Sequence, residues 1–217
     1  MKKMWVLVII CVLLAGGYYM FKQNNVDEAI TKEYPIEPFN QLEVDSSADN
    51  IRIVTGKYCS VRYIGQKKLK PSVKVENHVL TVKSPEKSVV INGSLFNIKS
   101  LKQELIIEMP AKEYKSVSID TSNGNVSIDN LKVQKGSIDT SNGRVNLNKL
   151  TTKNGFEIDS SNGSIRVGKS NAEGFDLSTS NGHVTFGGKN ESQDFEKNAE
   201  ADNTLSIDTS NGNIAVN

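Results

Sequence analysis

From about Phe39 to Asn217 apolar and polar residues alternate in short segments, separated by Ser-Asn-Gly and Asn-Gly turns, and helix signals are nearly absent. Alternation with period two sends one set of side chains inward and the other into water, which is the pattern of a half-buried strand. The pattern predicts an all-β class. Two other textures precede it. Met4 to Phe21 is an unbroken run without charge, bounded by Lys2, Lys3 and Lys22. Gln23 to Pro38 is polar, marked by proline and without period, so 23–38 reads as a stalk.

The alternating region repeats itself. SIDTSNGNVSI (Ser118–Ile128) returns as SIDTSNGRVNL from Ser137, EIDSSNGSIRV from Glu157, DLSTSNGHVTF from Asp176 and SIDTSNGNIAV from Ser206. The last interval is longer and reads as a normal rung carrying an insertion of roughly ten residues within Gly187 to Asn203. EVDSSADNIRI (Glu43–Ile53) is a degenerate copy, with Ala48 and Asp49 in place of Asn-Gly. Aligned, the copies give inward columns. Val117, Gly136, Phe156, Phe175 and Leu205 form one, and Ile119, Ile138, Ile158, Leu177 and Ile207 the next. After the turn come Val126, Val145, Ile165, Val184 and Ile214, then Ile128, Leu147, Val167, Phe186 and Val216. A single rung cannot bury such a face, whereas stacked rungs can. The expected fold is therefore a right-handed, single-stranded β-solenoid, β-helix-like, with rungs of about 20 residues. Its parts are 39–110 with degenerate rungs and 111–217 with regular ones. A third side is less well specified, since Leu131 and Val133 of one rung become Ser170 and Ala172 in another. Asn-Gly is also the commonest hairpin signal, so a chain of antiparallel hairpins is the structural alternative. The corner glycine is expected to accept positive φ, with the preceding asparagine tolerating the left-handed region.

The N-terminal run is about 18 residues long, enough to reach the lower range for a membrane-spanning helix. Its flanking lysines place Met1 in the cytoplasm and everything after Lys22 outside. The expectation is a single-pass cell-membrane protein with an anchor at 1–22 and an extracellular C-terminal domain. A cleaved signal peptide is the rival, with Val6 to Leu14 as its apolar centre and Ala15 and Gly17 at the cleavage site. Cys11 lies inside this run and Cys59 in an expected strand, a pairing that suggests neither a disulfide framework nor a metal spacing.

Charge removes one partner class. Lys and Arg number 26 against 25 Asp and Glu, so no global basic field exists to hold a nucleic-acid backbone. The chemistry most open to misreading is the column Asp120, Asp139, Asp159 and Asp208, interrupted by Ser178. Carboxylates one rung apart repel, and the expected compensation is an Asx turn at each corner, with calcium between rungs as the alternative. Glu157, Asp159 and Asp176 beside Arg166 form a possible acidic group of the kind used on glycosidic bonds, though outward carboxylates on short rungs are usually just solvated. His78 and His183 stand in no metal spacing. Ser84-Pro85-Glu86-Lys87 fits a Ser-x-x-Lys string without its partner motifs. No catalytic residue, cofactor-binding residue or metal ligand is therefore nominated, no cofactor is implied, and the chain is not expected to be an enzyme.

The block IIEMPAKEYKSVSIDTSNGNVSIDNL (Ile106–Leu131) resembles a bacterial β-strand-repeat family of unknown function whose members are termed adhesins from their shape. In that family a strand ending in proline, here Met109-Pro110, introduces repeated Ser-Asn-Gly rungs, here from Ser122 to Gly124. The resemblance extends over about Phe39 to Asn217. It implies a surface-exposed β-solenoid, often membrane-tethered, and supplies no catalytic residues. Two functions are expected from it. One is a surface binding or adhesion module in which Asn125, Arg144, Ser164, His183 and Asn213 face a cell-wall polymer or envelope protein. The other is an accessory or scaffolding role in envelope-stress sensing.

Overall fold

The computed structural model describes residues 29–85 and 103–217. The apolar run at 4–21 lies outside the described residues, and so does the second half of the Ser84–Lys87 string. Among the described residues no helix is long and apolar enough to cross a membrane. Within the described residues all regular structure is strand apart from one 3-10 turn at Lys67–Leu69. The first part of the chain gives β1 (Ala29–Pro35), β2 (Gln41–Ser46), β3 (Asn50–Thr55), β4 (Ser60–Gln66), β5 (Ser72–Glu76), β6 (Val79–Lys83) and β7 (Glu104–Met109). The repeats follow as β8 (Tyr114–Thr121) with β9 (Val126–Ile128), and β10 (Leu131–Asn142) with β11 (Val145–Leu147). Next come β12 (Leu150–Thr151), β13 (Phe156–Asn162) with β14 (Ile165–Val167), and β15 (Gly174–Asn181) with β16 (Val184–Phe186). Then β17 (Lys189–Glu191) and β18 (Asp194–Lys197) precede β19 (Thr204–Asn211) with β20 (Ile214–Val216).

The two halves of each repeat enter different sheets, so the Asn-Gly corner joins sheets and is not a hairpin. One sheet runs β1-β4-β7-β3-β9-β11-β14-β20-β16-β17 and the other β18-β15-β19-β13-β10-β8-β2-β6-β5. Between repeats the ladders are parallel and in register, with Ile138 opposite Ile119 and Ile158, and Ile207 opposite Ile158 and Leu177. The predicted inward columns meet between the sheets, and Ile119, Ile138, Ile158, Leu177, Ile207 and Ile214 are all at most 1% exposed. Register is fixed because a slip of one residue would turn each of these outward. Gly136 fits its apolar column by leaving room for a neighbour, since a Cβ there would sit 2.6 Å from the Phe156 ring. The less well specified third side is short, with Leu131 paired to Leu150 and Leu150 bridged to Ser170.

Stack order departs from chain order at both ends. The fifth repeat, β19 with β20, lies between the third and the fourth and does not follow the fourth. The insertion before it is longer than a loop. β17 pairs antiparallel with β16, and β18 antiparallel with β15, closing that end of both sheets. Phe175, Phe186 and Phe195 gather there, with ring centroids 4.7 and 5.0 Å apart. At the other end β2 and β3 stack on the first repeat, then β6 and β7 stack on them. Antiparallel β4, β5 and β1 finish that end. β1 therefore corrects the stalk, because Ala29 to Pro35 pair residue for residue with Gln66 to Ser60. The sequence hid this strand because its exposed position at the edge needs little apolar patterning, while Lys32 and Glu33 mark it as a charged edge.

Candidate functional site

The corner that repeats in every rung is the most distinctive surface of the molecule, and its chemistry starts at the glycine. Positive φ is found among the described residues at Gly155, Gly187, Gly188, Asn77, His78 and Asn198, and at none of the Ser-Asn-Gly corners of the repeats. The expectation of left-handed corner residues is thus wrong, and close approach explains the glycines. A Cβ on Gly143 would lie 2.1 Å from the Gly124 carbonyl oxygen, and one on Gly163 would lie 1.8 Å from that of Gly143. Gly212 and Gly182 continue the column at 2.1 and 1.9 Å. The true glycine hairpin is Gly187-Gly188, joining β16 to β17, and Asn77-His78 turns β5 into β6.

Just inside the glycines runs a column of hydroxyls, Ser46, Thr121, Thr140, Ser160, Thr209 and Thr179, each at most 6% exposed. Thr179 donates to the Gly212 carbonyl at 2.9 Å and Thr209 to that of Gly163 at 3.2 Å, tying one corner to the next. Outside them the asparagines form a ladder. Asn142 donates its amide to the Asn123 side-chain oxygen at 3.1 Å, Asn162 to Asn142 at 3.1 Å, Asn211 to Asn162 at 2.9 Å, and Asn181 to Asn211 at 3.0 Å. All five are exposed. Sequence reasoning treated these residues only as turn formers. The available signal was their presence in all five copies at a position with no conformational need for asparagine.

The next outward column holds the residues nominated for partner contact, in the spatial order Asn125, Arg144, Ser164, Asn213, His183. The Asn125 oxygen accepts the Arg144 backbone N–H at 3.0 Å, and the Asn213 oxygen accepts that of His183 at 3.0 Å. Their side chains thus both support the stack and face water. Asn125, Arg144 and Ser164 join Asn142, Asn162 and Asn211 around a shallow, open hollow of about 560 Å³.

The carboxylate column is real but is not capped as expected. Asp120, Asp139, Asp159 and Asp208 are adjacent in the parallel ladder, and Asp45 extends the row beyond Asp120. Several corner amides instead donate across the stack, Ser122 N–H to the Ser46 carbonyl, Asn142 N–H to Ser122 and Gly163 N–H to Asn211. Partial burial, then Glu157, Asp139 and Asp208, push Asp159 up to about 6. Burial, then Asp120 and Glu157, also raise Asp139. At the end of the row Lys83 neutralises Asp45 at 2.8 Å. Among the described residues no three His, Cys, Asp or Glu side chains converge as a metal-holding group.

The acidic group does not assemble. Glu157 and Asp176 are separated by Ser206, because the fifth repeat lies between their strands, and Arg166 belongs to the other sheet. His78 is a turn residue and His183 an exposed corner residue. Ser84 is buried and hydrogen-bonds Asp49, which also accepts from Ser46 at 2.7 Å. Asp49 occupies the glycine position of the degenerate repeat. Its side chain is tolerated because it meets serine hydroxyls where the other rungs meet a glycine carbonyl.

No curated protein matches this chain. Among solved structures it is similar to a provisionally named cell adhesion protein from Clostridium sporogenes, with 14% identity, a TM-score of 0.57, and coverage of 87% of this chain and 99% of that one. A provisionally named adhesin from Bacteroides fragilis aligns at 15% identity with a TM-score of 0.38, covering 88% of this chain and 97% of that one. At such identities the likeness to the clostridial protein concerns the fold alone. The model of the Toastrack DUF4097 family matches residues 39–188, from the start of β2's approach to the Gly-Gly hairpin, in agreement with the resemblance carried by the Ser-Asn-Gly rungs. With that match spanning more than half of its length, the chain belongs to the Toastrack DUF4097 family.

Proposed function

We propose that this protein is a membrane-tethered, extracellular, non-catalytic binding module, built as a right-handed β-solenoid, that lays its asparagine-lined corner along a cell-wall polymer. The observation that carries this reading is the unbroken ladder from Asn123 to Asn181 beside the Asn125, Arg144 and Ser164 column. The same donors and acceptors recur at each rung, about 4.8 Å apart. Such a surface makes many equal, weak contacts, and these add up on a polymer that is itself periodic. A small molecule would use one or two rungs and waste the rest. The open hollow and the polar lining also suit a hydrated chain better than an enclosed ligand.

Retention of the full-length protein by isolated cell-wall polymers tests the reading. Binding should strengthen with polymer length and drop on replacing Asn142 and Asn162 with Ala. No retention by any wall fraction, together with in-cell crosslinks from this corner to membrane proteins, would instead support the accessory role in envelope-stress sensing. The tether is tested separately. An uncleaved anchor keeps the protein in the membrane fraction after a salt wash, whereas a mature species starting near Tyr18 in the medium contradicts it.

A further inference from the structure

Asn-Gly is the dipeptide most open to one covalent reaction, because glycine's conformational freedom lets its backbone nitrogen reach the side-chain carbonyl carbon of the asparagine before it. The chain carries this pair at the five rung corners, at Asn154-Gly155 and at Asn92-Gly93, the last outside the described residues. With the same two residues in each place, the fold decides which pair reacts.

At the corners the fold opposes the reaction. Each corner asparagine donates its side-chain amide to a neighbouring rung, Asn123 to the Ser47 carbonyl at 3.3 Å and the other four to ladder oxygens at 2.9–3.1 Å. The glycine that must swing is held as well. A Cβ on Gly124, Gly143, Gly163, Gly182 or Gly212 would lie 1.8–2.1 Å from a carbonyl oxygen of the adjacent rung. The N–H groups of Gly163 and Gly212 also donate to the Asn211 and Asn181 carbonyls, at 3.0 and 3.1 Å. Ring closure at a corner must therefore first open the stack.

Asn154-Gly155, in the turn between β12 and β13, is built otherwise. Asn154 is exposed, and neither its side-chain amide nor the Gly155 N–H is hydrogen-bonded to another described residue. Other atoms hold the turn, the Asn154 N–H donating to the Gln134 carbonyl at 2.7 Å and the Thr152 hydroxyl to the Gly155 carbonyl at 2.8 Å. Both residues line an open hollow of about 570 Å³, so water reaches them.

We propose that Asn154 is a modification site, at which the folded protein deamidates itself with water as the only co-reactant. The Gly155 nitrogen gives its proton to solvent and bonds to Asn154 Cγ. The Cγ–Nδ2 bond breaks, and the nitrogen leaves as ammonia after taking a proton from solvent, which closes a cyclic imide. Water then opens either imide C–N bond, giving aspartate or isoaspartate. Each product sets a new carboxylate in a hollow whose other charged lining is Lys135, Glu157 and Asp202. Isoaspartate also routes the backbone through the side chain just ahead of β13.

The test incubates folded full-length protein in mildly alkaline buffer and reads the converted fraction at each Asn-Gly pair from peptide fragment masses. Asn154 should convert at least roughly tenfold faster than any corner asparagine, the factor that retaining a ladder hydrogen bond or two supplies. In denaturant that lead should vanish. Asn142→Ala, which removes the acceptor of the Asn162 amide, should speed conversion at Asn162 and leave Asn154 unchanged. Equal rates in the folded protein, or a corner asparagine ahead of Asn154, overturn the proposal. A lead at Asn154 that persists in denaturant overturns it too, since the preference would then come from Lys153 before it and not from the fold.

Discussion

The middle of the stack and its two ends solve one problem in opposite ways. In the middle, each rung is paired on both sides by a near copy of itself, so glycine meets glycine, asparagine meets asparagine and isoleucine meets isoleucine. Like side chains then form ladders, favourable for amides and costly for carboxylates. At the ends the pairing turns antiparallel, the corner glycine gives way to Asp49 on one side, and aromatic rings fill the apolar gap on the other. Repetition supplies the interior and its interruption supplies the edges, which would otherwise recruit further strands.

The sharpest way to break this comparison is to bury a charge. Ile158→Asp places an unpaired carboxylate between the sheets and should cost about 4 kcal/mol or more, read as loss of the cooperative transition in circular dichroism. Ile207→Asp should be equally damaging, because the fifth repeat lies inside the stack. A markedly milder effect at Ile207 would mean that the repeats stack in chain order.

Next comes the glycine column. Gly143→Ala drives a methyl into the Gly124 carbonyl of the adjacent rung and should cost about 2–3 kcal/mol by denaturant titration. Gly188→Ala, at the end closure, meets no atom within 4 Å and pays only for its φ of +78°, about 1 kcal/mol. Equal losses would argue for conformation over close approach at the corners.

A smaller effect separates the carboxylate row from its end. The folded state holds Asp159 up to about 6 against an ordinary 3.8, so it keeps a proton that the unfolded chain has given up. Stability contributed by this group is therefore full below about pH 4, falls as pH rises toward 6, and stays low above it. Asp159→Asn should raise the melting temperature at pH 7.5 and leave it unchanged at pH 3.5. Asp45→Asn, where Lys83 already neutralises the charge, should bring no gain at neutral pH. A melting curve for Asp159→Asn that tracks the unmodified protein at every pH would count against repulsion along the row.

The smallest expected change is in the amide ladder. Asn162→Ala removes one exposed rung of hydrogen bonds and should cost about 0.5–1 kcal/mol, less than the corner glycine beside it. Any larger loss would mean that the ladder holds the stack together as well as decorating it.

The strand alternation, the inward columns from Val117 to Val216 and the outward placement of Asn125, Arg144 and Ser164 were all legible in the chain, because period-two patterning and burial are local consequences of residue type. The candidate surface was only half legible, since an asparagine that stabilises a turn and one that bonds its image on the next rung look alike in a single copy. β1 was missed for a related reason, its edge position asking almost nothing of its side chains.

What the sequence by itself determined is the rung: its length, its two faces and its corner. Where each rung goes was decided by tertiary structure alone. Near-identical repeats can pair with any copy, so residue type cannot say that Ile207 lies between Ile158 and Leu177, that Ser206 parts Glu157 from Asp176, or that Arg166 faces away from both. Those placements follow from how the inserted strands β17 and β18 close one end and return the chain to the open slot. The role of the corner glycines was settled in the same way, because a clash with the next rung exists only once that rung is in place.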